Sequence, residues 1–229
     1  MSYLGTTNLG GISKMYLGNV EVGKAYLGND IAYENAPPYD AEIEYLQSTG
    51  TQYFDTGIVG SSNFECEIKA EYTQNQDGFD TILGAFTSTG HFSVALAIQK
   101  VSSSSRPYFQ FGSTYVLHTA NPLTQHVYKT SLKNGVVKID IDGSAVTDTY
   151  SAELSYLTMY MFARHRGDTT IGNYSKAKIH YCKIWSNGSL VRDYIPVRVG
   201  QVGYMYDRVS GQLFGNEGTG SFTLGNDKQ

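Results

Sequence analysis

The chain is poor in the features that would simplify its reading. It has two cysteines in 229 residues, too few for a disulfide framework, so its stability must come from burial of a core. Charged residues make up only 17%. Lys and Arg (17) are outnumbered by Asp and Glu (21), giving a net charge of −4. A nucleic-acid or anionic-membrane partner would need a clustered basic face, which this balance argues against. The longest nearly apolar run, Phe92-Ser-Val-Ala-Leu-Ala-Ile98, is far too short to span a bilayer as a helix. The N-terminal Met1-Ser-Tyr-Leu-Gly5 has neither a basic stretch nor an apolar one, so no signal peptide is expected. The expectation is a soluble protein made in a cytoplasm. No amphipathic helix of ten or more residues can be traced.

What is abundant points one way. There are 19 Tyr, 10 Phe and 25 Gly, and 41% of residues are hydrophobic, too many for a disordered chain. Strands favour aromatic and β-branched residues, and Gly marks the turns between them. The composition therefore predicts a turn-rich all-β protein.

The first forty residues hold a repeat with a period of ten: Ile12-Ser-Lys-Met-Tyr-Leu-Gly-Asn19 and Val22-Gly-Lys-Ala-Tyr-Leu-Gly-Asn29, with a degenerate copy at Tyr3-Leu-Gly5. Each copy reads as a short strand ending in a Gly-Asn turn. Alternation puts Ile12, Lys14 and Tyr16 on one face and Met15 and Leu17 on the other. Both faces carry apolar groups, and so small a ribbon cannot bury them alone. One reading extends the main sheet. The other makes residues 1–38 an assembly element, with Tyr16, Leu17, Tyr26 and Leu27 as the docking contacts. Ala36-Pro-Pro-Tyr-Asp40 is a semi-rigid connector, which places a domain boundary between residues 1–38 and 39–229.

Residues 41–229 read as many short strands. Glu42–Leu46 and Thr51–Asp55 flank the turn Ser48-Thr-Gly50. Phe64–Tyr72 alternates fully, with Phe64, Cys66, Ile68, Ala70 and Tyr72 toward a core and Glu65, Glu67, Lys69 and Glu71 toward water. Further strands are expected at 81–86, 91–99, 107–117, 125–133, 136–142, 157–164, 174–186 and 190–197, with a last hairpin at 202–214. Lys133-Asn134-Gly135 and Asp142-Gly143 are hairpin turns by composition. This spacing over one long domain predicts a jelly-roll β-sandwich.

Several stretches also carry a resemblance. Ile43–Gly57 resembles the first strand of laminin-G-like, concanavalin A-like domains, and Lys138-Ile-Asp-Ile-Asp-Gly143 resembles a hairpin of such domains. Ala177–Arg198 and Gly203–Phe222 are similar to domains of this kind in bacteriophage structural proteins, and so is the Tyr-Leu-Gly-Asn repeat. The resemblance covers nearly the whole chain. It implies a concanavalin A-like sandwich on a virion surface, as fibre, tail or head decoration, and made in a host bacterial cytoplasm. It also implies a homo-oligomer contacting sister copies or other virion proteins through residues 1–38.

Catalytic and metal signatures are sparse. In the β-glucanases of this fold the catalytic carboxylates alternate on one strand; the nearest mimic here is Glu65-x-Glu67-x-Lys69-x-Glu71, with Asp140-x-Asp142 second. Both read more simply as a solvated strand face and a turn, so no catalytic residue is expected. A polysaccharide-cutting glycoside hydrolase is the alternative. The five histidines show no His-x-x-x-His pairing, and Cys66 and Cys182 lack Cys-x-x-Cys partners, so no metal or cofactor is expected. The two cysteines are expected to be free core thiols, with a bridge open only if their strands adjoin. A host-surface glycan would need an aromatic platform and planar polar groups. Tyr108 and Gln110, with the charged loop Arg164, His165, Arg166 and Asp168, are the expected carbohydrate contacts if the fold brings them together.

Overall fold

The computed structural model describes residues 15–17, 20–22, 24–27, 30–34, 36–74, 78–87, 93–101, 104–150, 156–167 and 170–229. The chain divides into two compact units, Met1–Pro38 and Tyr39–Gln229. In the first, β1 (Met15–Leu17) pairs antiparallel with β2 (Val20–Val22), and β3 (Lys24–Leu27) with β4 (Asp30–Glu34). Tyr16, Leu17 and Tyr26 are 55%, 79% and 61% exposed. The side chain of Leu27 and the Gly-Asn turns at 18–19 and 28–29 lie outside the described residues.

The second unit continues with β5 (Ala41–Glu42), β6 (Leu46–Gln47), β7 (Phe54–Val59), β8 (Phe64–Tyr72), β9 (Phe79–Phe86), β10 (Ser93–Val101), β11 (Ser104–Phe111) and β12 (Thr114–Leu117). There follow β13 (His126–Lys133), β14 (Val136–Ile141), β15 (Ser144–Thr149), β16 (Thr158–Met161), β17 (Arg164–Arg166), β18 (Thr170–Gly172), β19 (Ala177–Ser186) and β20 (Ser189–Val199). The last are β21 (Val202–Asp207), β22 (Gln212–Phe214) and β23 (Thr223–Leu224).

These strands form two sheets. Sheet I runs β12-β11-β10-β9-β16-β7, with the β17–β18 hairpin set against β9. Sheet II runs β15-β14-β13-β8-β19-β20-β21-β22, with β5, β6 and β23 joined at its side. Pairing is antiparallel throughout the named strands except for β17 on β9. Between the sheets lies one hydrophobic core. Sheet II contributes Phe64, Ile68, Leu132, Ile139, Ile179 and Ile184; sheet I contributes Leu83, Leu96, Ile98, Phe109, Met159 and Met161. The architecture is the all-β sandwich expected from strand spacing.

Local sequence explains much of this. Phe64–Tyr72 buries every second residue, as its alternation requires. Asn134 and Gly135, then Asp142 and Gly143, hold φ of 52°, 76°, 51° and 91°. Those left-handed pairs turn β13 into β14 and β14 into β15, and Asn-Gly and Asp-Gly adopt them at least cost. Cys66 and Cys182 sit on the neighbouring strands β8 and β19, with sulfurs 3.9 Å apart, and remain free thiols.

Two expected strand boundaries are corrected, and one strand is found where none was expected. The stretch 107–117 is a hairpin, not one strand, because Gly112 turns at φ 58° between β11 and β12. The stretch 157–164 breaks after Met161: Phe162 takes φ 66°, and its amide donates to the Ile82 carbonyl at 2.7 Å. Ser144–Thr149 is a strand that no periodicity announced, an exposed polar edge paired to β14.

The buried tyrosines set an alkaline limit to this fold. Burial pushes Tyr108 and Tyr181 up to about 12, and Tyr72, Tyr128 and Tyr194 above their usual value of 10.0 as well. The folded chain thus keeps protons that the unfolded chain releases near pH 10. That contribution is whole below pH 10 and is lost as pH rises toward 12 and beyond. Urea midpoints measured on either side of pH 10 are expected to fall steeply on the alkaline side; a flat profile contradicts these burials.

Candidate functional site

The outer face of sheet II is built from the residues that alternation turns away from the core. β8 supplies Glu65, Glu67, Lys69 and Glu71. On its two sides, Glu65 faces Ser131 and Trp185, Glu67 faces Lys129 and Lys183, and Lys69 faces Val127 and Tyr181. β19 contains a bulge between Ile179 and Tyr181. One extra residue there reverses the strand's parity. Ile179, Cys182 and Ile184 all reach the core, while Tyr181, Lys183 and Trp185 are turned outward.

Three adjoining cavities open on this face. One of about 320 Å³ is lined by Trp185, Glu65, Glu67, Lys129, Ser131 and Lys138. A second, of about 360 Å³, shares Glu67 with it and adds Tyr181, Lys183, Asp193 and Arg208. A third, of about 560 Å³, shares His180 and Tyr181 with the second and reaches Tyr45, Lys69, Glu71, Gln125 and Lys178. Together they make a cleft that follows β19 from Trp185 to Lys178, about 20 Å at the strand rise. Trp185, Tyr181 and Tyr45 are spaced along it.

Its charges are arranged in pairs. The Tyr181 hydroxyl donates to Glu67 Oε1 at 2.8 Å, and Lys129 Nζ lies 3.3 Å from Glu67 Oε2. Burial, then the bond to Glu67, pushes the Tyr181 phenol up to about 12. Lys178 donates to Glu71 at 2.6 Å, which holds its ammonium above the ordinary lysine value. The same ammonium sits 4.9 Å above the Tyr45 ring. His180 donates from Nδ1 to the Glu44 carbonyl at 2.8 Å, leaving Nε2 to accept from Gln125 at 2.8 Å. Burial pushes its pKa down. The cleft is thus a fixed set of donors and acceptors between aromatic rings.

The residues singled out in the sequence lie on the other sheet. Tyr108 and Arg164 do come together: the Tyr108 ring is 5.3 Å from Phe79, and the Arg164 guanidinium is 5.6 Å from the same ring. They are, however, only 4% and 6% exposed, so the Tyr108 ring offers no open platform. Tyr115 covers Tyr108 at 5.3 Å, and Phe86 lies 6.0 Å from Arg164 and 5.7 Å from the exposed Arg166. Gln110 turns back to donate to the Gly112 carbonyl at 2.8 Å. His165 leaves the group: it stacks on Tyr160 at 4.2 Å, beside Tyr53, and donates from Nδ1 to the Thr158 carbonyl. Asp168 lies outside the described residues.

Alternation marks Glu65 and Glu67 in the sequence, but not Trp185 and Tyr181 beside them or Tyr45 further along the cleft. The outward alternation of β8 was the available signal; the bulge in β19 was not visible.

No protein-family model and no curated protein matches the chain. Solved structures do. The chain is similar to a candidate carbohydrate-binding protein from Bacteroides ovatus, with 14% identity, a TM-score of 0.57, and coverage of 82% of this chain and 61% of that one. The chain therefore spans about three fifths of that relative's length. It is also similar to the Ruminococcus gnavus IT-sialidase CBM40 (11% identity, TM-score 0.46, 66% and 95% coverage). A third is the enzymatically active domain of bacteriophage CBA120 tailspike protein 2 (9% identity, TM-score 0.35, 62% and 24% coverage). At these identities the likeness is one of fold alone, and the first structure carries it: an all-β, two-sheet antiparallel sandwich.

Glu67 is the residue on which the cleft's pairing turns. Glu67→Gln is expected to cost about 0.5–1.5 kcal/mol in urea unfolding, the usual worth of such a bond. It should also lower the Tyr181 pKa from about 12 part of the way toward 10.0, because burial, the larger cause, remains. Spectrophotometric titration against Tyr181→Phe reads this; an unmoved phenol would contradict the Tyr181–Glu67 bond.

Proposed function

We propose that this is a non-enzymatic carbohydrate-binding protein of a bacteriophage particle, holding a host-surface glycan in the cleft on sheet II. The observation that carries the binding is the cleft itself: adjoining hollows with Trp185, Tyr181 and Tyr45 along them and paired charges between. Sugar rings present apolar C–H faces to aromatic rings and hydroxyls to fixed donors and acceptors, and the groove offers both. That a protein of the same fold is described as a candidate carbohydrate-binding protein adds support.

Binding without hydrolysis is the reading favoured by how the carboxylates are used. A glycosidase needs one carboxyl group to give a proton and a second free to attack or to activate water. Glu65 and Glu67 share a face, but Glu65 pairs with Lys133 at 3.8 Å, and Glu67 is engaged by both Lys129 and Tyr181. Release of reducing ends from a β-glucan that vanished in Glu67→Gln would favour the hydrolase instead.

The virion assignment rests on the resemblance of Ala177–Arg198, Gly203–Phe222 and the N-terminal repeat. Its location follows from it: on the particle surface as fibre, tail or head decoration. The exposed Tyr16, Leu17 and Tyr26 support a docking role for residues 1–38 toward sister copies or other particle proteins.

Trp185 is the only tryptophan, so its fluorescence reports the cleft directly. On a glycan array the full chain is expected to bind bacterial surface polysaccharide, with a change in Trp185 emission on titration. Trp185→Ala should weaken binding by about tenfold or more, as loss of an aromatic anchor does. An array with no positive glycan at high protein concentration would sink the reading. For assembly, sedimentation should show an oligomer that dissociates when residues 1–38 are removed. A strict monomer with and without them would refute docking between sister copies.

A further inference from the structure

On sheet I, far from the cleft's chemistry, one cation among the described residues lacks what buried cations normally have. Arg164 is more than nine-tenths buried, yet its Nε and Nη2 atoms reach no acceptor among the described residues. A buried charged donor left unpaired is costly, and native folds rarely keep one without a use. The surroundings supply packing rather than pairing. Phe79 and Phe86 lie 5.6 Å and 6.0 Å from its guanidinium carbon.

Arg166 compounds the imbalance. Its guanidinium stacks on the same Phe86 ring at 5.7 Å, so that ring serves two cations. Residue 172, opposite Arg164 in the hairpin, is glycine; a Cβ there would come within 2.9 Å of Arg166 Cδ. The missing side chain leaves Arg166 its place beside Phe86. Burial pushes Arg164 below its ordinary arginine value, and Arg166 adds to that shift. The floor of this face is small by sequence: Gly84, Ala95 and Ala97 are all buried there without bulk.

We propose that Arg164 and Arg166, stacked on Phe86, form a second binding site, one that takes the carboxylate of an acidic sugar residue. The Nε–Nη2 edge of a guanidinium is a planar fork that matches a carboxylate with two parallel bonds. In Arg164 that edge is the unsatisfied one. The anion enters beside the exposed Arg166, its charge offsets both guanidinium groups, and the sugar ring lies against the half-buried Phe86 ring that the two share.

The test is arginine side-chain NMR on the full chain at constant ionic strength, titrating glucuronate, glucose, acetate and chloride. Glucuronate is expected to shift the Arg164 Nε–Hε signal saturably, while glucose and chloride do not. Binding of glucuronate about tenfold tighter than acetate assigns the carboxylate to a sugar. Equal binding of the two would overturn the sugar and keep only a carboxylate site. Arg164→Lys retains charge but loses the fork, and should weaken glucuronate about tenfold. Should that variant fold poorly, Arg166→Gln at the exposed position tests the same site in a folded protein and should weaken glucuronate severalfold. Trp185→Ala should leave the Arg164 response unchanged, which separates this site from the cleft. A signal that glucuronate does not move, or that chloride moves equally, overturns the proposal.

Discussion

The central strands of both sheets carry an apolar face, and the two sheets hide those faces against each other. That single constraint orders the rest. It fixes the register of β8 between β13 and β19, because a slip of one residue would send Phe64, Ile68 and Tyr72 to water and Glu65, Glu67 and Lys69 into the core. It also explains why two cysteines meet without bridging. Cys66 and Cys182 are packing residues of adjoining strands, and burial pushes the Cys182 thiol up, away from its reactive form.

With the inner faces committed to one core, chemistry is left to the outer ones, and these differ. On sheet II the outer layer is charged and open, and the β19 bulge brings Tyr181 and Trp185 into it. On sheet I it is closed by a row of rings and guanidinium groups from Tyr115 to Arg166 over small floor residues. One face suits an extended neutral or mixed-charge chain along a groove. The other suits a compact anion at a buried fork. On the proposed reading, the two faces together hold a polysaccharide by its backbone and by its acidic substituents.

The sequence shows what is written in local patterns. Full alternation in Phe64–Tyr72 foretells both its burial and its solvent face, and the Asn134-Gly135 and Asp142-Gly143 turns are legible because few residues tolerate their backbone. The same rule puts Tyr108 on the face of β11 opposite Phe109, but it cannot say that Phe79 and Tyr115 cover it, since those contacts join three strands. Phe162 breaks a strand with a left-handed conformation that its side chain does not advertise. The cleft was hidden for a related reason. Strict alternation through β19 would send Tyr181 and Trp185 to the core with Ile179, and only the bulge reverses them.

The central claim is that ligand occupies the outer face of sheet II. Amide hydrogen exchange of the full chain, with and without a bacterial surface polysaccharide, tests it most directly. The account expects added protection in 64–72, 126–133 and 177–186, the three central strands beneath the cleft. Protection confined to 104–117, or none in those three strands while the polysaccharide is demonstrably bound, would contradict it.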